Sequence, residues 1–92
     1  MSEILFSTGQ IVGTPGALEA MENAQVDPVE LLERHLYGDW GDLCPEDSEL
    51  NDSAVQSGGR IMSSYMLPTD VKIWIITEWD RSATTLLLPS EY

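Results

Sequence analysis

Between Asp39 and Asp52 the sequence places six carboxylates, Asp39, Asp42, Glu46, Asp47, Glu49 and Asp52, and no Lys or Arg. Acids at this density could hold a metal ion or present a fixed negative surface. The single cysteine, Cys44, lies in the same stretch, and the single histidine, His35, stands nine residues before it. A thiol nucleophile with a histidine base is therefore the other chemistry to weigh.

Neither catalytic nor metal chemistry survives inspection. A reactive cysteine wants electropositive surroundings that favour the thiolate, whereas Cys44 has Asp42, Glu46 and Asp47 for neighbours. His35 is expected on the flank of a helix, at the surface beside Glu30 and Glu33. A calcium loop needs oxygen ligands at alternate positions, a glycine at the sixth and a closing glutamate. Counted from Asp39, the third and fifth positions are Gly41 and Leu43; counted from Asp42, they are Cys44 and Glu46, with no glycine following. One Cys and one His do not make a structural zinc site. Gly58-Gly59-Arg60 lacks the Lys-Ser/Thr of a phosphate loop, and there is no serine elbow. No catalytic residue, cofactor or metal is expected, and the protein is not expected to be an enzyme.

What remains is charge. The chain carries 16 acids against four Lys and Arg, a formal charge of −12 on 92 residues. Residues 1–59 hold twelve acids and one base, residues 60–92 four acids and three bases. Direct nucleic-acid binding needs clustered cations to release counterions, so it is not expected, and the natural partner is a basic surface. DNA carries one phosphate per ~3.4 Å along each strand, and a helix rises ~1.5 Å per residue. Acids at i, i+3 and i+4 therefore repeat at distances comparable to a phosphate row. Glu46, Asp47 and Glu49 begin such a row, Asp42 and Asp52 extend it, and Glu19, Glu22, Glu30 and Glu33 lengthen it. Trp40, in the acidic turn, is the expected apolar anchor.

The elements that must carry these residues read as α+β, one domain over 1–92. Residues 4–13 suggest a short strand or two. Thr14-Pro15 and Asp27-Pro28 are cap-then-proline starts, predicting helices over 15–24 and 28–37, the second with Val29, Leu32 and Leu36 on its inner stripe. Pro45 opens a third helix over 45–56, with acids in its first turns where the helix dipole favours them and Leu50, Ala54 and Val55 as a thin apolar stripe. From Arg60 the period changes to two, predicting a three-stranded antiparallel meander over 60–67, 71–79 and 83–88. Its middle strand points Val71, Ile73, Ile75, Thr77 and Trp79 one way, and Lys72, Trp74, Ile76 and Glu78 the other. Helices on one face and a partner subunit on the other would cover both. The opening MSEILFSTGQ lacks the charged start and apolar run of a signal peptide, no run reaches the ~20 residues of a membrane span, and a lone cysteine suits a reducing compartment. A cytoplasmic protein with no membrane contact is expected.

Residues 10–92, above all HLYGDWGDLCPED, GGRIMSSYMLP and KIWIITEWDRSATTLLLPSEY, resemble small acidic proteins carried on bacterial plasmids, integrative elements and phages, often labelled plasmid-related or as a type I restriction subunit. The resemblance brings no catalytic residues. It implies a setting in which small acidic proteins disarm restriction or CRISPR systems by imitating DNA. The expectation is a non-enzymatic inhibitor, anti-CRISPR or antirestriction, that binds the basic DNA- or RNA-handling surface of a host defence complex through Asp39, Trp40, Asp42, Glu46, Asp47, Glu49 and Asp52. The alternative is an interaction module that dimerises through its sheet, burying Trp74 and Trp79, with solvating acids and no nucleic-acid-related target.

Overall fold

Each of the three helices begins at a proline, where the missing N–H costs nothing because a first-turn amide has no helical acceptor. In the computed structural model, which describes residues 4–92, they are α1 (Pro15–Asn23), α2 (Pro28–Leu36) and α3 (Pro45–Ser57). Thr14 Oγ1 accepts from the Ala17 amide at 3.1 Å and Asp27 Oδ1 from the Val29 amide at 2.9 Å, so both expected caps form. Gly58, at φ +88°, ends α3 in the left-handed conformation. The helices lie within one residue of their expected bounds.

The strands are β1 (Gln10–Gly13), β2 (Ile61–Met66), β3 (Lys72–Thr77) and β4 (Ala83–Leu87), in sheet order β1-β4-β3-β2. The antiparallel meander β2-β3-β4 forms as the alternation predicts. The N-terminal strand joins it parallel to β4, Ile11 beside Thr84, so the sheet is four-stranded and mixed rather than three-stranded and antiparallel. Only a chain that leaves β1 through α1–α3 and returns along the far side can pair two strands in parallel.

One sheet face, with Ile61, Ser63, Tyr65, Ile73, Ile75, Thr77, Thr84 and Leu86, is fully buried. α1 and α2 cover most of it with Ala17, Met21, Leu31 and Leu32. A second cluster, Phe6, Trp40, Ala54 and Ile61, fills the end beneath α3. Two inner stripes differ from expectation. α2 buries Leu31, Leu32 and His35 while Val29 is exposed, and α3 buries Asn51 and Ala54 while Leu50 is exposed. On the opposite sheet face Ile76 and Leu87 are buried and Trp74 half-buried, with the Tyr92 ring 5.7 Å from that of Trp74. β3 stops at Thr77, which leaves Trp79 exposed in the following turn instead of in the strand.

Candidate interaction surface

The acidic segment is laid along the outer edge of β2. In that strand the backbone groups of Ile61, Ser63 and Tyr65 face β3, and those of Met62 and Ser64 face away from it. The Ser64 amide donates to the Trp40 carbonyl at 3.0 Å, and the Asp42 amide donates to the Ser64 carbonyl at 2.7 Å. One turn along, Asn51 of α3 completes the edge: its Nδ2 donates to the Met62 carbonyl at 2.7 Å and its Oδ1 accepts the Met62 amide at 3.1 Å. Such close contact depends on Gly41, at φ +76°, where a Cβ would lie 2.0 Å from the Ser64 carbonyl oxygen. At the far end, Arg81 donates to the carbonyls of Ala54 (2.8 Å) and Gly59 (2.6 Å), putting a cation on the electronegative end of α3.

With backbone and amide facing the sheet, the carboxylates face water. Asp39, Asp42, Glu46, Asp47, Glu49 and Asp52 are all exposed, and so are Glu19, Glu22, Glu30 and Glu33. They are not equivalent. Asp39 pairs with Arg34 at 2.6 Å, the one ion pair among the described residues. The Arg34 hydrogen bond holds the Asp39 carboxyl below the usual carboxylate range. Arg34 in turn lies over the Tyr65 ring, 4.5 Å from its centroid, and the Tyr65 hydroxyl donates to the Asp39 carbonyl at 2.6 Å. Asp52 accepts the indole N–H of Trp40 at 3.0 Å. Glu46 and Glu49 share the solvent face of α3, whereas Asp47 and Asp52 stand about 140° apart around its axis, at 3.6 residues per turn. The array is a curved ridge, not a single row. Among the described residues no three ligating side chains converge on one point.

Two expectations are corrected here. Trp40 is 6% exposed, its ring 6.3 Å from that of Phe6, so it cannot serve as an exposed anchor. A large ring with a polar N–H is drawn into the core once a carboxylate at the rim accepts that N–H. The exposed apolar side chain on the ridge is Leu50, at 68%. Beside it an open groove is lined by Leu43, Asp47, Asn51, Arg60 and Met62. Leu50 was legible only as a stripe residue, and nothing local marks a helix that docks through an amide.

His35, expected at the surface, is wholly buried. Nδ1 lies 2.5 Å from Ser63 Oγ, and Nε2 lies 2.9 Å from Thr77 Oγ1. Both ring nitrogens are satisfied, which removes the penalty that would keep a histidine out of a core. Phe6 and Trp40 meet it edge-on at 5.1 and 5.9 Å. Cys44 is exposed at the start of α3, whereas both ring nitrogens of the buried His35 are taken by Ser63 and Thr77, so the only thiol and the only imidazole do not form a pair.

Comparison with protein-family models, with curated proteins and with solved structures finds no match for this chain. No helix of the described residues is long and apolar enough to cross a membrane.

Proposed function

We propose that the protein is a non-enzymatic inhibitor whose acidic ridge occupies a basic, nucleic-acid-handling surface of a host defence complex, of the restriction or CRISPR kind. The observation that supports it most is the anchoring of residues 39–52. Backbone bonds to Ser64, the Asn51 amide on Met62 and the Arg81 contacts hold the segment along β2, with its carboxylates outward. A preorganised charge array loses little conformational entropy on binding. Asp42, Glu46, Asp47 and Glu49 supply the free charge. Asp39 and Asp52 stand at its ends, each already bonded inside the molecule. Leu50 replaces Trp40 as the apolar contact, beside a groove of mixed polarity, and Trp40 supports the ridge from beneath.

The test is capture by the tagged chain from a bacterial lysate, with elution along a salt gradient. A nucleic-acid-handling complex should be retained, released at moderate salt, and displaced by DNA or RNA, as expected of charge-dominated binding. The variant D42N/E46Q/D47N/E49Q should lose capture with an unchanged circular dichroism spectrum. Retained binding by that folded variant sinks the proposal.

A further inference from the structure

Three of the chain's four basic side chains lie against its own aromatic rings. The guanidinium carbons of Arg34, Arg60 and Arg81 are 4.5, 5.6 and 5.5 Å from the ring centroids of Tyr65, Tyr92 and Phe6. Among the described residues Trp79 has no such partner, although an indole is the ring that holds a cation best. It is 66% exposed, and it stands between Glu78 and Asp80, both exposed as well. The turn that presents it is firmly held. The Glu78 amide donates to the Ala83 carbonyl at 3.0 Å, and the Arg81 amide donates to the Glu78 carbonyl at 2.9 Å. Asp80 Oδ1 accepts the Ser82 amide at 3.0 Å. Arg81 sits at φ +59°, and its side chain donates inward to the carbonyls of Glu78, Ala54 and Gly59. Its charge is thereby committed to the turn and to the end of α3, which leaves the indole and the two carboxylates facing water.

An apolar partner would need a patch of apolar surface, and this ring has none around it. The residues that meet the turn are Gly9, Ala54, Gly59 and Ala83, and no large exposed hydrophobic side chain is among them. A cation needs only the ring face and a carboxylate. With ~3.8 Å between successive Cα atoms, a cation on the indole lies within reach of both neighbouring acids. Planarity narrows the choice further: a guanidinium can stack on the ring and donate in its own plane to a carboxylate, which an ammonium cannot. We infer that Trp79, with Glu78 and Asp80, is a docking site for an arginine side chain of the binding partner. The inference rests on the reading above that the partner is basic, and it names the side chain that the partner supplies. The turn meets α3 at the Ala54 carbonyl, five residues and about 7.5 Å beyond Glu49 along the helix. One basic surface can therefore reach both the ridge and the indole.

The test is a titration of the full-length chain with short capped peptides containing arginine, lysine or citrulline, the last an uncharged isostere of arginine. Indole N–H resonances are the readout, with buried Trp40, bonded to Asp52, as the internal reference. The Trp79 resonance should shift with the arginine peptide at lower concentration than with the lysine peptide, and stay still with citrulline. W79A should weaken binding of the arginine peptide about threefold to tenfold. E78Q/D80N should weaken it too, and D80N retains the oxygen that accepts the Ser82 amide. Both variants should keep the wild-type far-ultraviolet circular dichroism spectrum. An equal shift with citrulline overturns the inference, because stacking without charge would then suffice. So does a Trp79 resonance that stays still while ridge residues respond. In capture from a lysate, W79A should release the partner at lower salt. Unchanged capture by W79A, beside loss in D42N/E46Q/D47N/E49Q, sinks this site and leaves the ridge standing. Weakened capture by W79A, with none in the ridge variant, does the reverse.

Discussion

His35 shows how much one buried side chain can be asked to satisfy. The hydroxyl of Thr84 donates to the Thr8 carbonyl at 2.8 Å, which uses its one proton. Thr77, 2.8 Å away, must then donate to Thr84. The Nε2–H of His35 must donate to Thr77, and in the neutral ring Nδ1 then accepts from Ser63. Burial favours that neutral form, pushing the pKa down from 6.5 to about 4. As pH falls, the unfolded chain takes up the proton first. The stabilisation is thus whole above about 6.5 and is lost progressively as pH drops to about 4, a difference on the order of 3 kcal/mol. Urea midpoints measured across that range should fall with pH in the wild type and change less in H35Q. Parallel profiles would place the acid sensitivity elsewhere. The comparison between the two chains carries the test.

Among the elements, α3 is held by polar groups where a surface helix is ordinarily held by an apolar stripe. Asn51 closes the β2 edge and fixes the acidic ridge at once. N51L should cost about 1–3 kcal/mol, because it leaves the Met62 amide and carbonyl without partners. It should also expose the β2 edge, seen as light scattering from species larger than any the wild type forms at the same concentration. Unchanged stability would mean that water replaces the amide at no cost. This is also where hydrophobic patterning is least informative. The apolar stripe takes in Leu50 and leaves out Asn51, whereas the structure exposes Leu50 and buries Asn51, because the facing element is a strand edge with unsatisfied backbone groups.

For the whole molecule, charge is segregated across the sheet: the acidic ridge follows β2, β1 carries no charged side chain, and two strands separate them. Net charge of −12 on so small a body repels itself, and added salt screens that repulsion. Thermal midpoints should rise with sodium chloride in the wild type and rise less in D42N/E46Q/D47N/E49Q. A midpoint insensitive to salt would show that the carboxylates are too far apart to repel. Stability increases with salt while binding of a basic partner decreases, so the sign of the salt response separates repulsion within the fold from charge-driven binding.

The sequence by itself determined whatever acts within a few residues. Thr14-Pro15, Asp27-Pro28 and Pro45 start the helices because cap, proline and first turn are neighbours. The alternation after Arg60 makes the meander because short turns join its strands. The carboxylates of residues 39–52 are outward because ionised side chains stay in contact with water. Tertiary structure alone decided the rest, since those outcomes depend on partners distant in the chain. β1 lies parallel to β4, seventy-three residues on, because three helices intervene before the sheet resumes. His35 is buried because Ser63 and Thr77, 28 and 42 residues later, bring two hydroxyls to its ring. Trp40 turns inward because Asp52 reaches its N–H across the start of α3. A local pattern shows which side chains avoid water, whereas the final position of a polar group is set by the partner that satisfies it.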